Sequence, residues 1–203
     1  MLRKGDFRQV LPSQKDFEKD IKLLSSQVER CNQILKRLSL NPIEEDDFID
    51  TDFTIRDYLN EIILSFKEIS KKNFVFNFDQ YSNVKKLTKS IEIVYGLRNF
   101  IGNANKFSKE NVYINLKSDS EITEIIIEDD GNGYPNDILS KIGEPYLRSK
   151  NSIEKSNTGL GLGVFIGKIL LEKNFAFINC RNSKTRGGAE VIVRWNNSDL
   201  FKI

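Results

Sequence analysis

The chain has 203 residues, of which 39% are hydrophobic, and its 31 Lys and Arg nearly balance its 29 Asp and Glu. This charge balance argues against nucleic acid or an acidic membrane as a partner, and the length suffices for one domain plus an additional element. No apolar run approaches the about 20 residues of a membrane span, so we expect a soluble chain. The two cysteines, Cys31 and Cys180, lack metal-ligand spacing and favour a reducing compartment.

Residues 13 to 40 carry the pattern of one long helix. Their apolar residues recur in alternating steps of four and three, an average spacing of about 3.5 that is typical of coiled coils and helical bundles. The residues of this stripe are Phe17, Ile21, Leu24, Val28, Cys31, Leu35 and Leu38. Such a stripe must pack on another helix, most simply from a second copy of the chain. A plain amphipathic helix packed on the downstream domain is the alternative.

An acidic stretch separates this helix from the rest of the chain. Asn41 and Pro42 end the helix, and a run of carboxylates follows up to residue 52. We interpret the run as a solvated linker at a domain boundary rather than as a metal site. Beyond it, residues 55–69 have helical periodicity, and the alternating Phe74, Phe76 and Phe78 predict a strand.

The helix predicted between residues 90 and 107 has two different faces. The apolar face consists of Ile91, Val94, Leu97, Ile101 and Ala104. The other face carries Asn99, Asn103 and Lys106, whose spacing of four and three brings two amides and an ammonium together. An amide oxygen is a hard ligand for Mg²⁺ and Lys binds phosphate, so this row fits a metal with a polyphosphate. The alternative is a solvated polar face.

A predicted β-hairpin ends in an acidic glycine turn. Residues 112–116 alternate between apolar and polar, and the apolar residues 122–127 pair with them as a second strand. Asp129 and Asp130 follow, and then Gly131 and Gly133, which allow the backbone to turn and a planar ligand to approach it. A carboxylate fixed there can accept a hydrogen bond from an exocyclic amine. The alternative is an ordinary acidic turn.

An irregular segment of the kind that forms lids lies between residues 134 and 157, and we expect it to be mobile without a ligand. It leads into Gly159, Gly161 and Gly163, which open a helix. The apolar residues of that helix are Leu162, Phe165, Ile166, Ile169 and Leu170. Backbone N–H groups exposed at the start of a helix form an anion site. Residues 175–180 and 189–195 predict a last pair of strands, joined by the turn 186–188.

Three of these stretches together resemble one family. The segments 99–107, 129–133 and 159–163, in this order, look like the asparagine box and the two glycine boxes of the sensor histidine kinase catalytic domain, within the ATPase superfamily of gyrase, Hsp90 and MutL. The resemblance covers about residues 53–197. The segments 27–35, 143–146 and 161–172 look like RegB/PrrB-type redox-responsive kinases.

The resemblance implies an α+β fold: a two-layer α/β sandwich of the Bergerat ATP-binding type, with helices on one face of a mixed sheet, preceded by a long bundle or coiled-coil helix. It divides the chain into the second helix of a dimerisation hairpin at 1–41, an acidic linker at 42–53, the ATP-binding catalytic domain at 54–197 and a tail at 198–203. The first helix of the hairpin would lie outside this chain.

The resemblance also implies a role for individual residues toward ATP and Mg²⁺. Asn103 would bind the metal, Asn99 and Lys106 the phosphates, Phe107 the base and Asp129 the adenine amine. Arg148 or Lys150 in the lid would stabilise the departing γ-phosphate, with Asn103, Lys106 and Arg148 as the catalytic set. The two glycine boxes supply the remaining ligand contacts, from Gly131, Gly133, Thr158, Gly159, Leu160, Gly161, Leu162 and Gly163.

The partners implied are a response regulator, a histidine-bearing dimerisation hairpin and a second copy of the full-length protein. The sequence contains no histidine, so the phosphoacceptor would lie outside this chain. We expect a cytoplasmic location, or the cytoplasmic part of a membrane-anchored sensor. Cys31, beside Arg30 in the apolar stripe, is a candidate redox switch. The alternative function is a non-catalytic nucleotide-binding module, either a degenerate kinase or an anti-sigma-like switch.

Overall fold

The computed structural model describes residues 53–79, 86–87, 90–147 and 161–200. Its helices are α1 (Ile55–Lys67), α2 (Ile91–Phe107), α3 (Asn136–Leu139), α4 (Gly163–Lys173) and α5 (Asn197–Leu200). Its strands are β1 (Phe53–Thr54), β2 (Asn73–Phe78), β3 (Lys86–Leu87), β4 (Asn111–Ser118), β5 (Ile122–Asp129), β6 (Phe177–Asn182) and β7 (Ala189–Asn196). The predicted long helix and acidic linker lie outside the described residues. No helix within those residues is long and apolar enough to cross a membrane.

Five strands form a mixed sheet in the order β2-β4-β5-β7-β6. β2 and β4 are parallel, and every other neighbouring pair is antiparallel. The two predicted hairpins, β4-β5 and β6-β7, are present, and β1 pairs separately with β3. With the helices packed on this sheet, the predicted α/β sandwich is confirmed.

The side chains that point from the sheet toward the helices form the core. In β4 and β5 they are every second residue, which is the period of a strand with one buried face. The buried members of the central strands are Val112, Ile114, Leu116, Ile125, Ile127, Val191, Val193 and Trp195. Trp195 is fully buried, and its indole N–H donates to the carbonyl of Asn174 at 2.9 Å, so its one polar atom is satisfied.

Local capping explains where the first two long helices begin. Thr54 and Asp57 form a reciprocal capping box at the start of α1, with the backbone N–H of each donating to the side chain of the other. Ser90 caps α2 by accepting from the N–H of Ile93 at 3.3 Å. Each cap satisfies backbone groups that have no partner inside the helix.

The buried faces of α2 and α4 differ from the predicted ones. In α2, Ile91 is 38% exposed, and Ile93 and Phe100 instead complete the buried face. In α4, Ile169 is 46% exposed, and the buried residues are Gly167 and Leu171. A glycine contributes nothing to a hydrophobic pattern, so the buried face of α4 could not be recognised from apolar spacing alone.

Candidate functional site

The end of α2 and the turn after β5 lie in direct contact. A side chain at Gly131 would overlap with the carbonyl oxygen of Phe107, the last residue of α2. Only a residue without a Cβ allows this approach. The asparagine segment and the first glycine segment of the sequence therefore meet at Gly131.

Asp129, the last residue of β5, is 3% exposed and presents one oxygen as a free acceptor. Its Oδ1 accepts from the backbone N–H of Gly131 at 2.8 Å and of Ala189 at 3.2 Å. Its Oδ2 accepts a hydrogen bond from no other described residue. Burial raises the pKa of this carboxyl, and the two backbone N–H groups oppose that effect. Oδ2 of this fixed carboxylate could therefore accept a hydrogen bond from a ligand donor on one side.

Gly188, in the turn between β6 and β7, is a residue of this site that the sequence analysis missed. A Cβ at Gly188 would overlap with both the backbone oxygen and the Oδ1 of Asp129. From the sequence, this turn is predicted only to connect two strands. The available signal was the Gly-Gly pair, because one glycine suffices for most turns and a second indicates a close approach.

Asp130 has a structural role, in contrast to its neighbour. Its carboxylate accepts from the backbone N–H groups of Lys109, Glu110 and Asn111 and from the side-chain amide of Asn111. Burial disfavours the charge, but these hydrogen bonds outweigh it and lower the pKa to about 2. Asp130 thereby fixes the connection from α2 to β4.

Asn99 lies beside the start of α4. Its Nδ2 donates one N–H to the carbonyl of Tyr95 at 2.8 Å, which fixes the amide, and its Oδ1 accepts a hydrogen bond from no other described residue. A Cβ built on Gly163, the first residue of α4, would lie 3.5 Å from that Oδ1. The N-cap residue Leu162 makes no side-chain cap hydrogen bond, and the N–H groups of the first turn have no partner within the helix itself. The Oδ1 of Asn99 and the first N–H groups of α4 therefore lie next to each other.

Asn103, Lys106 and Phe107 follow along the same helix. Asn103 is half-buried and forms no hydrogen bond with any other described residue. The ammonium of Lys106 lies 5.3 Å from the ring centroid of Phe107, which is 55% exposed. Within the described ranges no three His, Cys, Asp or Glu residues cluster as a metal site. The free amide oxygen of Asn103 therefore fits a hard cation that takes its other ligands from phosphate and water.

The chain leaving the site is fixed to β6. Gly133 has a φ of +71°, a backbone conformation that favours glycine. The next residue, Tyr134, donates its N–H to Oδ1 of Asn182 at 2.6 Å and accepts from Nδ2 of the same side chain at 3.0 Å. These two bonds orient the start of the predicted lid.

The described part of the predicted lid ends at Leu147, and the chain is described again from Gly161. These two residues touch, since a Cβ on Gly161 would lie 2.5 Å from the carbonyl oxygen of Leu147. The predicted mobility of the lid stays a prediction. Several predicted site residues lie outside the described residues, namely Arg148, Lys150, Thr158, Gly159, Leu160 and the redox candidate Cys31.

Cys180 in β6 is a neutral thiol. Burial raises its pKa to about 11, against the opposing effects of the nearby Lys168 and of a hydrogen bond with the Tyr134 hydroxyl. Thiolate is the reactive form of cysteine. Cys180 therefore packs as a small apolar residue and is a poor redox candidate.

Comparison with known proteins places this chain in an ATPase family. Residues 88–198 match the family described as histidine kinase-, DNA gyrase B-, and HSP90-like ATPase. Sensor histidine kinase RegB of Cereibacter sphaeroides is 29% identical over 215 residues, which cover 96% of this chain and 46% of RegB. A putative NtrY-like sensor histidine kinase of Rickettsia bellii is 22% identical over 148 residues, covering 70% of this chain and 23% of that protein. The chain spans less than half the length of these curated relatives.

Two solved structures share the fold. The mycobacterial sensor histidine kinase MprB superposes with a TM-score of 0.60 at 18% identity, covering 71% of this chain and 96% of that chain. The catalytic domain of histidine kinase ThkA gives a TM-score of 0.58 at 20% identity, covering 72% of this chain and 95% of that chain.

We predict that Asp130→Asn lowers the free energy of unfolding by about 1–2 kcal/mol at pH 7, because the new amide N–H groups would face backbone N–H groups. The range is kept small because the carboxylate is partly exposed and solvent screens its charge. The folded pKa of about 2 lies below the unfolded value of about 3.9, so the contribution exists above pH 4 and disappears as the pH falls toward 2. Urea denaturation across this range should show wild type and variant converging in acid. A constant difference at every pH would contradict the assignment.

We predict that Cys180 of the folded protein resists alkylation at pH 8, because its pKa of about 11 leaves almost no thiolate. Mass spectrometry of the peptide containing Cys180 after iodoacetamide treatment measures the rate. The same peptide in urea-unfolded protein is the control and should react at the rate of an ordinary cysteine. Equal rates in both states would show that the thiol is neither buried nor shifted.

Proposed function

Because the chain belongs to the histidine kinase-, DNA gyrase B-, and HSP90-like ATPase family, we propose that it is the ATP-binding part of a protein histidine kinase of a two-component system. It binds Mg·ATP and transfers the γ-phosphate to a histidine outside these 203 residues. The observation that carries the proposal is the buried Asp129 carboxylate with one anchored and one free oxygen.

Asp129 is the proposed adenine contact. Both described donors, the N–H groups of Gly131 and Ala189, hold Oδ1, so only Oδ2 is left for a ligand. An exocyclic amine can donate to this oxygen, whereas an oxo group at the same position of a purine would place two acceptors against each other. This supports adenine over guanine. Phe107, exposed beside Gly131, is the proposed apolar contact for the base.

The phosphates are assigned to the space between α2 and the start of α4. The open N–H groups of α4 favour an anion, and Lys106 adds a positive charge on α2. Asn103 is the proposed Mg²⁺ ligand, and the bound ion would neutralise phosphate charge and orient the terminal phosphate. The Oδ1 of Asn99 suits the ion or its water shell, and the second N–H of its Nδ2 is a donor for a phosphate oxygen.

The remaining roles follow from the similarity to sensor histidine kinases. Arg148 or Lys150 would stabilise charge on the departing phosphate, and residues 1–41 would form part of a dimerisation hairpin that presents the acceptor histidine. A response regulator would then receive the phosphate in the cytoplasm. In its most specific part, the proposal assigns the chain to the RegB/PrrB type. It also gives Cys31 the role of a redox switch. The lack of histidine in the sequence favours, as a second candidate, a non-catalytic nucleotide-binding switch.

We predict that the protein binds Mg·ATP and that Asp129→Asn lowers the affinity at least tenfold, about 1.4 kcal/mol, because an amide donor would meet the adenine amine. Isothermal titration calorimetry measures this. Asp130→Asn is the matched control, since its carboxylate holds the α2-β4 connection and not the ligand. Equal affinities for Asp129→Asn and wild type would remove the adenine assignment, and binding indifferent to magnesium would remove the role of Asn103.

We predict that the chain alone does not label itself with acid-labile phosphate, because it lacks an imidazole nucleophile. A separately supplied hairpin that carries the acceptor histidine should become labelled when the chain and Mg·ATP are present. The assay follows radiolabelled γ-phosphate, with a His→Ala hairpin as the control. Labelling of the chain alone would contradict the prediction. An unlabelled hairpin despite tight ATP binding would favour the non-catalytic switch.

A further inference from the structure

The helices α2 and α4 cross with glycine against glycine. A Cβ on Gly96 of α2 would lie 2.5 Å from Cγ of Leu171, and a Cβ on Gly167 of α4 would lie 3.1 Å from the carbonyl oxygen of Gly96. Glycine weakens a helix interior relative to alanine, so two at one crossing indicate a packing requirement. The helices approach here more closely than larger residues would permit.

The crossing lies one turn from the proposed phosphate site, and Asn99 touches both. A Cβ on Gly167 would lie 3.1 Å from Cβ of Asn99, and one on Gly163 would lie 3.5 Å from Oδ1 of the same side chain. Gly163 and Gly167 are four residues apart and share a face of α4. The bond from Nδ2 to the Tyr95 carbonyl prevents Asn99 from simply rotating away. The separation at Gly167 therefore sets the separation between Asn99 and the first N–H groups of α4.

We propose that Gly167 and Gly96 are positioning residues that hold the start of α4 at the distance from Asn99 needed by a phosphate group and its cation. The inference rests on the proposed function, because it assigns the phosphates to this space. A methyl group at Gly167 pushes α4 away from α2 and widens the gap at Asn99. The phosphate contacts then weaken although no phosphate-binding side chain has changed.

The adenine contact is independent of this crossing. Asp129 is fixed by Gly131 and Ala189, which belong to the β5 turn and to β7. The atoms nearest to a Cβ on Gly167 belong to Asn99, Gly96 and Phe100, all on α2. A positioning role thus predicts a selective loss of phosphate binding. General destabilisation of the fold would instead weaken the binding of the phosphates and of the adenine equally.

The test compares Gly167→Ala with wild type for Mg·ATP by calorimetry and for adenosine by NMR titration. We expect ATP affinity to fall about tenfold or more, in line with the cost of small misplacements, while adenosine affinity stays within about twofold. Gly102→Ala is the control, because the same methyl on α2 meets only the outer ring atoms of Phe66, at 3.2 and 3.7 Å, and no described atom of α4. It should leave both affinities unchanged.

A second variant covers the case that Gly167→Ala does not fold. Gly96→Ala adds its methyl to the same crossing from the side of α2, where the nearest atom is a side-chain carbon of Leu171 at 2.5 Å rather than a backbone atom, and it should also lower ATP but not adenosine affinity. Unchanged ATP affinity in either folded variant, or an equal loss for ATP and adenosine, would overturn the inference while leaving the proposed function standing. A wild-type protein that binds neither ligand would overturn both.

Discussion

The anchored carboxylate of Asp129 is the constraint on which the site depends. A buried acidic group is costly unless it is hydrogen-bonded, and here two backbone N–H groups, from Gly131 and Ala189, hold one oxygen. One N–H belongs to the turn that follows β5, and the other belongs to the neighbouring strand β7. This arrangement needs the antiparallel β5-β7 register and a residue without a side chain at Gly188. The same bonds leave the other oxygen as the single acceptor for a ligand.

Glycines lie at three of the close contacts between elements around the candidate site. Gly131 brings the end of α2 to the Asp129 turn, and Gly188 brings the β6-β7 turn to the same carboxylate. Gly96 and Gly167 bring α2 and α4 together beside Asn99. Gly131, Gly167 and Gly188 each meet a backbone oxygen of the facing element, a contact that has no rotamers to rearrange. The polar groups of the site are therefore positioned by close packing.

Within the described residues, the sequence predicted the five strands of the main sheet and the helices α1, α2 and α4, because strand alternation and helical periodicity are local properties that hydrophobic residues report directly. The short elements β1, β3, α3 and α5 were not predicted. The residue pattern alone could not separate Asp129 from Asp130, since the difference lies in partners distant along the chain, Ala189 for one and Asn111 for the other, and only the family resemblance assigned the ligand contact to Asp129. It also missed Gly167 and Gly188, because a buried glycine leaves no hydrophobic signal. The faces of α2 and α4 were misassigned for a related reason: burial is decided by the helix that packs opposite.

One helix connects the two halves of the proposed nucleotide site. Asn99 lies at the start of α4, and Phe107, eight residues later in α2, touches Gly131 beside Asp129. Eight residues of helix span about 12 Å, comparable with the reach of an extended ATP from its adenine amine to its phosphates. Asn103 stands halfway along that span. Gly167 packs against α2 near one end of this span and Gly131 meets the other end, so the rise of α2 sets the distance between the proposed phosphate site and the proposed adenine site.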